Sequence, residues 1–121
     1  MARIVSAIAA AALLALAATA HAQAWPAKAV KIVVPFAAGG PADLYARAIG
    51  EKLQSALGQP FVVENRPGGG SIVGTDLVAK SAPDGYTLLL MSNTHTVNES
   101  LIPPKPLQLL RDFLPVAPVH S

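Results

Sequence analysis

The sequence predicts an α/β fold with a parallel sheet, and three observations carry that expectation. Short apolar runs alternate with longer amphipathic ones in the order strand, helix, strand, helix, strand. The runs at 30–34 and 86–91 are apolar nearly throughout, as strands covered on both faces are. Each expected strand ends in a glycine-rich or polar loop, at 36–43, 65–71 and 92–96. In such sheets crossovers are right-handed and ligands bind beyond the carboxyl ends of the strands.

The chain has 121 residues, enough for one small domain. Residues 1–24 read as a secretory signal peptide. Arg3 precedes an apolar stretch of Ala, Leu and Ile, which ends in Ala20-His21-Ala22-Gln23-Ala24. Cleavage is expected after Ala22 or Ala24, and the location is then periplasmic. The competing reading is a membrane anchor, but the stretch is short for a spanning helix and rich in Ala rather than Leu. The remaining domain, 25–121, carries eight Lys/Arg and seven Asp/Glu. Its charge is close to balanced, and no basic block or aromatic-basic interleaving points to nucleic acid. There is no cysteine, hence no disulfide framework and no thiolate chemistry.

Trp25-Pro26-Ala27-Lys28 is an extended lead-in to the first strand, which Pro35 ends. Pro41 sits where the first turn of a helix tolerates proline. From 42 to 57, Leu44, Ala48, Ile49, Leu53 and Leu57 fall on one face at helical spacing, with Arg47 and Glu51 paired on the other. Gly58 supplies the stop. Phe61-Val62-Val63-Glu64 is the second strand. Ser71 is placed to cap a helix running to about Lys80, with Val73 and Leu77 turned inward. Ala82-Pro83-Asp84-Gly85 is a turn before the third strand. A helical turn is expected at 97–101, prolines at 103, 104 and 106 break the chain, and 114–119 reads as a fourth strand.

The nine residues 35–43 are the focus. Gly39 and Gly40 remove side chains that block close approach and allow consecutive N–H groups to converge. The following helix N-terminus favours an anion. Phe36, Ala37, Ala38, Gly39, Gly40 and Asp43 are therefore ligand-binding candidates. Gly70 and Ser71 form a second candidate terminus of the same kind. Ser92, Asn93 and Thr94 offer hydroxyl and amide groups suited to a water-assisted hold on oxygen atoms. Asp43 is ambiguous: it bonds the helix start as a structural group, or it holds an amino group or a bridging water. Arg66 either grips a carboxylate or pairs with Glu64 or Asp84. His95 is expected as a loop hydrogen-bonder. No phosphate-loop or dinucleotide fingerprint is present, and no nucleophile–base set or G-x-S-x-G elbow supports catalysis. With two histidines after residue 24 and no cysteine, a metal site lacks ligands, and no cofactor is implied.

The chain resembles the tripartite tricarboxylate transporter substrate-binding proteins, also called the Bug family. The resemblance rests on Trp25-Pro26, Val33-Val34-Pro35-Phe36-x-x-Gly39-Gly40-x-x-Asp43 and Ala46-Arg47. It continues through Leu57-Gly58-Gln59-Pro60 and Val62-Val63-Glu64-Asn65-Arg66-Pro67-Gly68. Gly74-Thr75, Ala79-Lys80, Pro83-Asp84-Gly85-Tyr86-Thr87-Leu88-Leu89, Asn98 with Ser100-Leu101, and Arg111-Asp112-Phe113 complete it in order. It implies a periplasmic-binding-protein-like fold of type II, with this chain carrying the parallel-sheet portion of lobe one and ending before the second lobe. It further implies a receptor, not an enzyme, that holds a small carboxylate or dicarboxylate largely by backbone amides and water, and delivers it to membrane transporter subunits. Leu107-Gln108-Leu109-Leu110 departs from the family, which usually has Tyr-Asp before the Arg-Asp-Phe piece. The alternative expectation is a truncated gene product that binds nothing.

Overall fold

In the computed structural model, residues 24–101 and 108–119 are described. The leader expected at 1–24 and the prolines at 103, 104 and 106 thus fall almost wholly outside the described residues.

Five residues, four of them apolar and β-branched, make the central strand β1, Val30–Val34. It is flanked by β2, Phe61–Asn65, and β3, Thr87–Leu89, in the order β2-β1-β3, both pairs parallel. The register sets Ile32 opposite Val63 on one side and Leu88 on the other. Helix α1, Pro41–Leu57, connects β1 to β2 and lies on both. Helix α2, Ile72–Ala79, follows a 3₁₀ turn at Gly69–Ser71 and lies on β1 and β3. The first crossover moves outward from β1 and the second returns over it, so right-handed connections place the two helices on opposite faces.

Alternation along β1 divides its side chains between those faces. Val30, Ile32 and Val34 join Ala46 and Phe61 in the core beneath α1. Val33, on the other face, is fully buried. Lys31 shares Val33's face but lies toward the strand's start. It is exposed and bridges Glu64 at 2.6 Å, so β1 is not apolar on both faces along its whole length. Fully burying one such valine is worth about 1.5–3 kcal/mol.

Both helices are rotated from the faces that hydrophobic spacing suggests. On α1 the buried residues are Asp43, Ala46 and Gly50, while Leu44 is 61% and Leu57 40% exposed and Ala48 is exposed. Only Ile49 and Leu53 of the expected stripe turn partly inward. The cause is close approach. A Cβ on Gly50 would stand 3.3 Å from the Phe61 carbonyl oxygen, so small residues bring the helix backbone down onto β2. On α2, Gly74 and Thr75 are buried and Val73 is exposed. A Cβ on Gly74 would lie 2.7 Å from the Arg66 carbonyl oxygen and 2.9 Å from Pro35 Cβ. Ser71 does occupy the N-cap position, yet its hydroxyl makes no cap bond. Its carbonyl instead accepts the Thr75 hydroxyl at 2.7 Å.

The expected stops hold. Gly58 ends α1 at φ 73°, its N–H bonded to the Gln54 carbonyl at 2.9 Å. Gly85, at φ 80°, and Asp84, which accepts the Tyr86 N–H at 3.0 Å, make the turn into β3. Beyond β3 the chain differs from expectation. Helix α3, Asn93–Leu101, begins four residues early because Ser92 caps it: its hydroxyl accepts the Thr94 N–H at 3.3 Å and its carbonyl the His95 N–H at 3.1 Å. The short helix α4, Leu109–Asp112, precedes 114–119, where a fourth strand is expected but the chain is irregular, with Leu114 and Val116 exposed. That segment pairs with no strand among the described residues.

Candidate functional site

The strand order reverses around β1, so the switch point lies between β1 and β3, outside their carboxyl ends. The loops 36–43 and 90–93 leave there, and the loop after β2 leaves the same end. The sequence directs these loops to converge, and one chain of polar contacts joins them.

It begins at Asp43, 3% exposed in the first turn of α1. Asp43 Oδ2 accepts the Gly39 N–H at 2.8 Å and the Arg47 Nε–H at 3.0 Å. Gly39 sits at φ 81°, the left-handed conformation that turns its N–H back toward the carboxylate. These two donors, Arg47 first, hold the Asp43 carboxyl down at about 2. Arg47 Nη2 then donates to Asn65 Oδ1 at 3.3 Å, and Asn65 Nδ2 donates to the Phe36 carbonyl at 3.2 Å. The β2 loop is thereby tied to the β1 loop.

The Phe36 ring meets the His95 ring at 83°, with centroids 6.0 Å apart. His95 is 3% exposed, and its Nδ1 lies 3.1 Å from the Ser92 amide nitrogen and 3.2 Å from the Ser92 carbonyl oxygen. Burial holds the imidazole below the ordinary histidine range. On the far side, Asn98 of α3 donates its Nδ2–H to the Gly70 carbonyl. Gly68, Gly69, Gly70 and Ser71 all have positive φ, so the β2 loop coils left-handed before entering α2.

The candidate residues therefore meet at one end of the sheet. Phe36 and Gly40 are half-buried, Ala37, Ala38 and Gly39 exposed, and Asp43 and Ser71 buried. Gly70 is exposed; Ser92 and Thr94 are half-buried and Asn93 exposed, the last two in the first turn of α3 rather than in a loop. Two expectations change. The Gly39 N–H is taken by Asp43 and is not free for an anion, while the N–H groups of Ala42 and Asp43 have no carbonyl four residues behind in the helix. Arg47 pairs with Asp43, not Glu51. The acidic-before-basic order at i,i+4 favours that choice, a signal present in the sequence. Of the two roles open to Asp43, the structural bond is observed. Arg66 pairs with Glu64. Asn65 and Asn98, the cross-links between loops, carry no local sequence signal. Among the described residues no cluster of three or more His, Asp or Glu is placed to hold a metal ion.

The model of the tripartite tricarboxylate transporter family receptor matches residues 45–121. The chain belongs to that family. Its relatives include the protein BugT of Bordetella pertussis, 47% identical over 106 residues, which are 86% of this chain and 32% of BugT. Among solved structures, the periplasmic binding protein BugD is 51% identical with a TM-score of 0.53, over 55% of this chain and 22% of that one. MatC of Rhodopseudomonas palustris, with bound malate, is 40% identical with a TM-score of 0.65, over 69% of this chain and 29% of that one. The tripartite tricarboxylate receptors are binding components of transport systems rather than enzymes. The chain spans about a third of the length of the curated relatives it matches, and within that span it is the parallel-sheet part of a periplasmic-binding-protein α/β lobe.

Proposed function

We propose that this chain forms the ligand-facing part of lobe one of an extracytoplasmic receptor. The receptor captures a small carboxylate, a dicarboxylate such as malate foremost, and passes it to the membrane subunits of a tripartite tricarboxylate-type transporter. One observation carries the reading: the loops after all three strands are cross-linked into a single polar edge at the switch point, through Asp43, Arg47, Asn65, Phe36, His95 and Asn98. The malate bound by the relative MatC supports the ligand class.

The chemistry follows from that edge. The Asp43 charge is paired with Arg47 inside the turn, so it does not repel a carboxylate approaching the α1 N-terminus. The helix-start amides then donate to the carboxylate, with Phe36, Ala37, Ala38, Gly39 and Gly40 forming the wall beside it. Ser92, Asn93 and Thr94 hold the ligand's other oxygens, directly or through water, and Gly70 and Ser71 border the site. The leader within residues 1–24 directs export to the periplasm and is cleaved after Ala22 or Ala24. N-terminal sequencing of the exported protein is expected to begin at Gln23 or Trp25.

Amide NMR spectra of the purified protein, recorded while malate is added to millimolar concentration, test the reading even for weak binding. The expected result is saturable movement of the amides of 36–43 and 92–95, absent when malate is replaced by its diamide. Movement elsewhere only overturns this site, and no movement overturns the reading and leaves a chain that binds no carboxylate.

A further inference from the structure

Two buried polar side-chain atoms among the described residues have no hydrogen-bond partner, Asp43 Oδ1 and His95 Nε2. Both belong to the loops that meet at the switch point. Asp43 is already satisfied through its other oxygen. His95 is different, because the partner at Nδ1 fixes what Nε2 must be. Nδ1 lies near both the Ser92 N–H, at 3.1 Å, and the Ser92 carbonyl oxygen, at 3.2 Å. The carbonyl already accepts the His95 backbone N–H, so the pairing that satisfies both groups has Nδ1 accept from the Ser92 N–H and leaves the proton of the neutral ring on Nε2. The two ring nitrogens lie on opposite sides of the imidazole, so Nε2–H is directed away from the turn that holds Nδ1. An N–H donor buried without an acceptor is unfavourable by about 1–3 kcal/mol. Any oxygen atom brought to it recovers that energy.

We propose that His95 is a specificity-determining residue whose Nε2–H donates to a carboxylate oxygen of the ligand, with the Phe36 ring as the cover that turns aside to admit it. The inference rests on the carboxylate-receptor reading above. Its second support is position: His95 lies in the first turn of the nine-residue helix α3, where the helix dipole favours the same negative charge. Phe36 is the ring packed against His95, and it is only half-buried. Its backbone carbonyl is held by Asn65, and its ring also packs on the core beneath α1. A neutral imidazole suits the task. It presents a donor at neutral pH without placing a full charge in a buried site, and burial keeps it neutral.

Two substitutions separate a ligand contact from a structural one. The side-chain oxygen of His95→Asn takes the place of Nδ1 and keeps the Ser92 contact but lacks the Nε2 donor. The amide of His95→Gln reaches the place of Nε2 and keeps the donor but loses the Ser92 contact. The proposal expects malate affinity to fall by at least about tenfold in His95→Asn and to be largely retained in His95→Gln. A purely structural histidine gives the opposite order and overturns the proposal. If neither variant folds, the wild-type protein labelled with ¹⁵N at histidine decides. Its free spectrum should show the Nε2–H tautomer, and malate should shift that proton downfield. An unmoved Nε2 resonance while the amides of 36–43 and 92–95 respond overturns the role of His95 alone. Absence of any response overturns the carboxylate site together with it.

Discussion

The three strands have two ends, built from different materials. At the amino end, Trp25 packs edge-on against Phe61, with ring centroids 6.3 Å apart, and tilts over Tyr86 at 6.2 Å. The Ala27 N–H donates to the Tyr86 hydroxyl at 2.9 Å, and Lys28 Nζ stands 4.5 Å from the centre of that ring. This end is closed by aromatic area, which is non-directional and tolerant of small shifts. At the carboxyl end the same strands open into glycine turns held by directional bonds among Asp43, Arg47, Asn65 and Asn98. The difference separates two tasks. Cohesion sits at the amino end, and geometry is fixed at the end where the ligand site is proposed.

Substitutions at the two ends should therefore fail differently. The largest loss of stability is expected from Phe61→Ala at the amino end, about 3–5 kcal/mol, since Phe61 is 7% exposed and part of the core. Urea unfolding measures it; a loss below about 1 kcal/mol would show that the aromatic cluster does not close that end. Next is Gly74→Ala at the carboxyl end, where the added methyl meets backbone and ring carbons that cannot yield. Overpacking of about 1–3 kcal/mol is expected, with displaced resonances at Pro35 and Arg66. Trp25→Ala should cost about 1–2 kcal/mol, because the ring is 47% exposed, and should leave the amides of 36–43 unmoved. A response there would erase the distinction between the ends.

The smallest effect on stability is expected from Asp43→Asn, a drop of a few degrees in Tm with little change in malate response. Its pH dependence is specific. The folded carboxyl lies at about 2 and the ordinary value is 3.8, so ionised Asp43 stabilises the fold fully above 3.8. That contribution is lost as the pH falls through 2. The Tm gap between wild type and Asp43→Asn should accordingly be constant at neutral pH and close between about 4 and 2. A gap that persists below 2, or a collapse of malate binding with Tm intact, would assign Asp43 to the ligand instead of the turn.

The two ends were also unequally legible in the sequence. The parallel sheet, the helix stop at Gly58, the turn at Gly85 and the convergence of three loops follow from local chemistry and the alternation of strands and helices, and the structure bears them out. The inward faces of α1 and α2 do not follow, because hydrophobic periodicity weighs Leu44, Leu57 and Val73 by their side chains. The helices dock instead through Ala46, Gly50 and Gly74, whose value is the room they leave. Asn65 and Asn98 act across gaps of 29 and 28 residues, beyond any local pattern. The strand expected at 114–119 shows the converse error: an apolar run becomes a strand only where a neighbour offers its edge.

Gly74 has a consequence for how this stretch tolerates mutation. Any one-base change in a glycine codon that alters the residue introduces a side chain, and a Cβ at this position already collides with Pro35 and the Arg66 carbonyl. No amino-acid change one base away is neutral there, whereas Gly39 and Gly58 have open space around their Cβ positions and are limited only by φ. The join between the first two loops is thus guarded by a codon with no harmless neighbours, and a mutational scan should show position 74 as a sharp minimum among residues that touch no ligand.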